Sequence, residues 1–352
     1  MAERVLTQRE LNRALLARQL LLARVRLPLP RALERIGGIQ NQYAPNGYLG
    51  LWTRLDGFER DALTRALQRR TVIQATSLRG TIHLLSARDF WPFAAGARRA
   101  RQAWWASVHR RHENAVDLDA AVAATRALLR GTTRSGDDLA RLHARFAPAG
   151  APRHLVGEGV STRLELVRVP PAGTWERRRA HTFALAEEWL PGEASEEDGL
   201  ELLARRYLGA FGPAPVADLA RWAGVPAAAF APTLARLRLR RFRDESGGEL
   251  LDLPRAPLPH PETPAPVRFL PTFDATLLAH ARRTGIILEA DRARIFHVRA
   301  PQSFPTFLVD GAVAGTWRYE AGRIRIEPFG RLARQVRREL DDEAERLAAF
   351  HA

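Results

Sequence analysis

Leu200–Leu253, LELLARRYLGAFGPAPVADLARWAGVPAAAFAPTLARLRLRRFRDESGGELLDL, is the stretch that decides the fold class. Apolar residues at helical spacing predict a helix near Leu200–Tyr207, and Gly212-Pro213 interrupts it. A second helix is expected from about Val216 to Ala223. Gly224-Val225-Pro226 turns the chain, and a third helix reaches about Leu237. Leu237-Arg238-Leu239-Arg240 then alternates at period two, Ser246-Gly247-Gly248 turns, and Glu249–Leu253 returns. Helix, turn, helix and hairpin in that order make the winged-helix pattern, with Arg238, Arg240, Arg241 and Arg243 on the wing.

Two upstream segments follow the same order. In the first, Leu11–Leu22, Pro30–Ile36, Leu49–Leu55 and Glu59–Leu67 read as helices. Val72–Ser77 and Thr81–Leu85 read as a hairpin joined through Arg79-Gly80. In the second, Ala120–Leu129 is a helix, and Ser135 or Asp137 caps the next. Leu164–Val169 is a strand that stops at Pro170-Pro171. A proline-rich linker spans Pro254 to Pro266. Beyond it Thr306–Val309, Ala312–Tyr319 and Arg323–Glu327 form a meander, with Asp310-Gly311 as a strong hairpin turn. A charged helix from Arg331 to Ala349 follows. The fold class expected is therefore α+β. Three tandem winged-helix units, at 1–113, 114–198 and 199–256, precede a small β-rich, barrel-like domain at 257–352.

Composition narrows the partners. The 352 residues carry a net charge of +15, all 54 basic residues being arginine. An excess of this size favours a polyanion. The opening residues lead straight into a polar helix pattern, and no apolar run approaches the roughly 20 residues that cross a bilayer. Nucleic acid is thus expected over a membrane surface, with the protein acting in the cytoplasm at the bacterial nucleoid. Cysteine is absent, so disulfides, thiolate zinc sites and iron–sulfur clusters are excluded. No metal or cofactor is expected.

Most catalytic patterns are missing. His109 and His112 in His109-Arg110-Arg111-His112-Glu113 stand at i and i+3, not the i, i+4 spacing of a helical zinc protease. Gly159-Val160-Ser161 is not a nucleophile elbow, and there is no phosphate loop. His83, His181 and His280 stand alone. One segment differs: Gly37-Gly38-Ile39-Gln40-Asn41-Gln42-Tyr43-Ala44-Pro45-Asn46-Gly47-Tyr48. The two glycines end a helix, and Pro45 disfavours helix at Ala44. Gln40 and Gln42 then lie in extended chain with both amides on one side and Asn41 on the other. Alone, such a pair is most often a turn-stabilising polar cluster; it is also a neutral clamp of two acceptors and four donors.

This segment resembles the diagnostic motif of the AlkZ- and YcaQ-type DNA glycosylases, in its Gln-x-Gln, AlkZ-like form. Arg79-Gly80-Thr81-Ile82-His83-Leu84, Leu166 to Trp175, Leu270-Pro271-Thr272-Phe273-Asp274 and Leu308-Val309-Asp310-Gly311 resemble further segments of that superfamily. Asn41 departs from it, an apolar residue being expected there. The resemblance implies a monofunctional glycosylase that removes cationic N-alkylated purines from double-stranded DNA, including bulky adducts or interstrand crosslinks, in some members as natural-product self-resistance. It implies Gln40 and Gln42 as the catalytic pair. With no lysine to form a Schiff base, excision would proceed by water attack. Asn46, Tyr48 and His83 are candidate DNA contacts, and Arg79, Arg163 and Arg168 candidate phosphate contacts. Trp52 is expected to pack in the core, and the protein is expected to be a monomer. The rival readings are a transcriptional regulator and a lesion-binding protein without catalysis.

Overall fold

The computed structural model describes residues 3–179, 181–278, 281–296 and 303–352; His280 lies outside them. Thirteen strands are described: β1 Val5–Leu6, β2 Ile39–Gln40, β3 Val72–Thr76, β4 Ile82–Ser86, β5 Arg134–Ser135, β6 Leu166–Arg168, β7 Thr182–Leu185, β8 Arg240–Asp244, β9 Glu249–Asp252, β10 Arg268–Leu270, β11 Thr306–Val309, β12 Ala312–Glu320 and β13 Arg323–Pro328. They form three sheets embedded among helices, an α+β fold.

The largest sheet runs β2-β4-β3-β6-β7-β5, every neighbour antiparallel. It takes strands from both sides of residue 113, so the first two segments share one sheet. The helices read from the first segment appear at Gln8–Arg18, Leu29–Ile36 and Arg60–Gln68. The one expected at Leu49–Leu55 already starts at Ala44 and runs to Trp52, because Pro45 sits in its first turn, where the missing N–H costs no helical bond. In the second, Leu118–Leu129 is helical and Ser135 caps Gly136–Ala144 with a capping box to Asp138. In the third, helices Val216–Ala223 and Ala227–Arg236 flank Gly224, whose φ of +69° supplies the left-handed turn. The β8–β9 hairpin follows, and β1 pairs with β8 in parallel, bringing the start of the chain onto it. Its arginines are partly engaged: Arg241 with Glu249, Arg243 with Glu3.

Helix Ala87–Val108 holds these parts together. It crosses Glu196–Phe211 so closely that a Cβ on Gly199 would lie 2.4 Å from Gly96 N. Phe93, Tyr207, Phe211 and Trp222 fill the core beside this crossing. A second core joins Tyr48, Leu84 and Trp175 to Phe269, Phe307 and Trp317 and to the terminal helix Arg334–His351. Trp52 packs against its edge, as expected. Among the described residues the β-rich region forms no closed barrel. β10-β11-β12-β13 is an open four-stranded antiparallel sheet, and the terminal helix packs on it. Buried ion pairs tie the first segment to β9 and to the stretch after β10: Arg18 to Asp252 at 2.7 Å and Arg54 to Asp274 at 2.9 Å, all four side chains nearly inaccessible.

Candidate active site

Helix Leu29–Ile36 ends at Gly37 and Gly38, with φ of +80° and +81°. A Cβ at Gly38 would lie 2.7 Å from Leu85 Cδ2, so glycine also lets the chain descend onto β4. There β2 pairs Ile39 with Leu84 and Gln40 with His83, and Asn41 N–H continues the ladder to Ile82 O at 2.7 Å. The extended backbone separates alternate side chains. Asn41 turns inward and is 1 % exposed. Its Oδ1 accepts from Gly47 N–H at 2.8 Å, tying the start of helix Ala44–Trp52 to β2. The residue that departs from the family pattern thus lies under the strand and away from the two glutamines.

Gln40 and Gln42 line one cavity of about 640 Å³. Both amide orientations are set by donors that have no acceptor capacity. Arg79 Nη2 donates to Gln40 Oε1 at 3.3 Å, and Ile82 N–H donates to Gln42 Oε1 at 2.7 Å. Among the described residues each amide keeps its two N–H groups and a second carbonyl lone pair for other partners. The other walls come from distant parts of the chain: Thr81 after the β3–β4 turn, Arg221 and Trp222 on Val216–Ala223, Phe273 after β10, and Arg292 and Phe296. Among the described residues no carboxylate lines this cavity. Phe273 has φ of +60°, an unusual conformation for a bulky residue, at the cavity wall. Behind it Asp274 is buried; burial pushes its carboxyl up, but the Arg54 guanidinium and hydrogen bonds from Thr276 together hold it below the usual range.

The structure redistributes the residues singled out from sequence. Arg79 has a left-handed backbone, φ +54°, and its guanidinium turns inward to Trp222 O and Gln40. Burial lowers its pKa. His83 is buried against Gln40. Desolvation, and secondarily Arg79, push its pKa down to about 3, so the ring is neutral. Its Nδ1 lies 3.1 Å from Thr81 O. Asn46 is 4 % exposed and donates to Thr272 Oγ1 at 2.7 Å; Tyr48 is fully buried, 2.9 Å from Thr64 Oγ1 and edge-on to Trp175. Neither offers a surface to DNA, because helix Ala44–Trp52 packs those faces into the core. Arg168 donates to Thr76 Oγ1 at 3.0 Å and lies over Phe183; burial lowers its pKa to about 10. Arg163 is exposed and paired with Asp119 at 2.6 Å. Sequence reasoning missed Arg221, Trp222, Arg292 and Phe296, which lie far from the Gln pair along the chain. Beyond the Gln pair, Arg79, Thr81 and Phe273 fall in segments the resemblance had marked.

The fold is similar to that of a DNA glycosylase, AlkZ of Streptomyces sahachiroi. The superposition has a TM-score of 0.79 at 19 % sequence identity and covers 99 % of this chain and 97 % of that one. No curated protein matches the chain in sequence. The family model described as DNA glycosylase AlkZ-like matches residues 33–350. The chain therefore belongs to the AlkZ-like family of DNA glycosylases.

Proposed function

We propose that this glycosylase hydrolyses the N-glycosidic bond of cationic N-alkylated purines in double-stranded DNA, with Gln40 and Gln42 as its catalytic pair. The observation that carries this reading is the convergence of two oriented, uncharged amides on one arginine- and aromatic-lined cavity. An N7- or N3-alkylated purine already bears the positive charge that departure of a neutral base relieves. A general acid on the leaving group is therefore dispensable. What remains is an oxocarbenium-like sugar and a water to place. A glutamine carbonyl with a free lone pair can hold that water, and its dipole favours the cation. One amide positions water and the other orients or stabilises the sugar. Normal purine nucleosides, which need an acid, react poorly at such a site, and the weakness becomes selectivity.

The cavity is open and larger than a small-base pocket needs to be, which suits a bulky adduct or an interstrand crosslink. Helix Val216–Ala223, the Gly224 turn, helix Ala227–Arg236 and the β8–β9 hairpin read as a winged-helix unit that helps grip the duplex. With no lysine in the chain, excision leaves an abasic site without strand cleavage. The protein acts as a monomer on DNA in the nucleoid. In a host that makes a DNA-alkylating natural product, this activity would give self-resistance.

The test uses a duplex with one N7-alkylguanine. Free alkylated base detected by mass spectrometry, with strands intact until alkali is added, is the expected result. Lesion-specific retention with the base still attached would replace hydrolysis by binding. Strand cleavage without alkali would contradict the monofunctional mechanism.

A further inference from the structure

A second cleft, of about 440 Å³, lies between the β3–β4 turn and the helices of residues 118–163. It shares no lining residue with the Gln40/Gln42 cavity. At its edge the structure brings together His109, His154 and Glu158, whose ligating atoms all lie within 4.8 Å of one another. His109 follows the last turn of helix Ala87–Val108. His154 and Glu158 stand one turn apart at the start of Leu155–Arg163. His109 Nε2 is 2.8 Å from Glu158 Oε2, and His154 Nε2 is 4.0 Å from Glu158 Oε1. Each carboxylate oxygen thus faces one imidazole nitrogen.

We propose that these three side chains form a divalent transition-metal site, with zinc as the fitting ion. Two imidazole nitrogens and one carboxylate oxygen suit zinc, and three protein ligands leave a fourth position open. Zinc bonds of about 2.1 Å put tetrahedral ligand atoms about 3.4 Å apart. Taking one ligand atom from each residue, the three lie within 4.8 Å of one another, so they draw in by at most about 1.4 Å to reach that spacing, the exposed His154 having the most room to move. Burial grades across the site: the side chains of His109, Glu158 and His154 are 6 %, 37 % and 65 % exposed. The inner ring is fixed by Trp105, with centroids 5.7 Å apart and the planes tilted. The outer one is free to close over an ion that enters from the cleft. His112, the histidine nearest to His109 in sequence, is not part of this cluster. A bound ion would clasp the end of the long helix to the middle segment.

The test is titration of the chelator-treated full-length protein with Zn²⁺ by calorimetry and with Co²⁺ by visible absorption. Wild type is compared with His154→Ala and Glu158→Gln. His154 is exposed, so its loss leaves the core intact, and Glu158→Gln keeps the side-chain volume. One equivalent bound by wild type, with affinity at least ten-fold weaker in both variants and a zinc-dependent rise in Tm seen only in wild type, is expected. Absence of saturable binding by wild type, or equal binding by the variants, overturns the site.

Discussion

Arg79 shows how one side chain changes meaning between sequence and structure. In the sequence it is an arginine in a hairpin turn, a natural phosphate contact. In the structure its guanidinium turns inward, fixing Gln40 Oε1 on one side and Trp222 O on the other. Removing it frees the Gln40 amide to rotate, and misplacement of a positioning group costs about 10- to 100-fold in rate. Arg79→Met is therefore predicted to lower single-turnover excision by that factor while duplex binding stays near wild type. A uniform loss of binding with an unchanged excision rate would restore the phosphate role. His83 makes a second prediction. Its native pKa, pushed down to about 3 by burial and by Arg79, lies below the ordinary 6.5, so between these values the unfolded chain binds more protons than the folded one. Stability is predicted to fall as pH drops from about 6.5 towards 3 and to be independent of this group above 6.5. Thermal melts of wild type and His83→Gln between pH 7.5 and 4.5 check it, the variant showing the shallower fall.

At the scale of elements, most helices and strands were legible because apolar periodicity and turn residues agree. The left-handed Gly224 between two helices, the Asp310-Gly311 turn and the Ser135 cap fall where the residues put them. Alternation in extended chain likewise gave the shared side of Gln40 and Gln42 and the opposite one of Asn41. Helix Ala87–Val108 was not legible, since Pro92 and Gly96 weaken its local signal and tertiary packing overrides it. Gly96 is there for the crossing. A Cβ on its partner Gly199 would meet Pro92 O at 2.5 Å and Gly96 N at 2.4 Å, backbone atoms that cannot rotate away. Gly199→Ala is predicted to destabilise the fold by about 1–3 kcal/mol, read from chemical denaturation. The shared sheet escaped notice for a different reason: four α-helices separate β3 from β6, and nothing local in either strand encodes the pairing.

At the scale of the molecule, the cavity is assembled from the first segment, the Val216–Ala223 helix and the region after β10, so no single stretch of sequence could have displayed it. Buried ion pairs such as Arg54–Asp274 hold those parts in register behind the Gln pair. The net charge of +15 sets the long-range attraction to DNA. If about 6–10 phosphates are neutralised, affinity for undamaged duplex falls roughly 10³- to 10⁵-fold between 50 and 200 mM salt, measurable by fluorescence anisotropy. A flat response would remove the electrostatic part of the account. Whether two uncharged amides perform the excision is decided by a Gln40→Ala/Gln42→Ala double variant beside wild type on a duplex containing one N7-alkylguanine, followed by alkali. Loss of one preorganised dipole costs about 10²- to 10³-fold, so wild type is predicted to generate alkali-labile sites and the folded double variant almost none. Equal cleavage by both would place the chemistry elsewhere in the molecule.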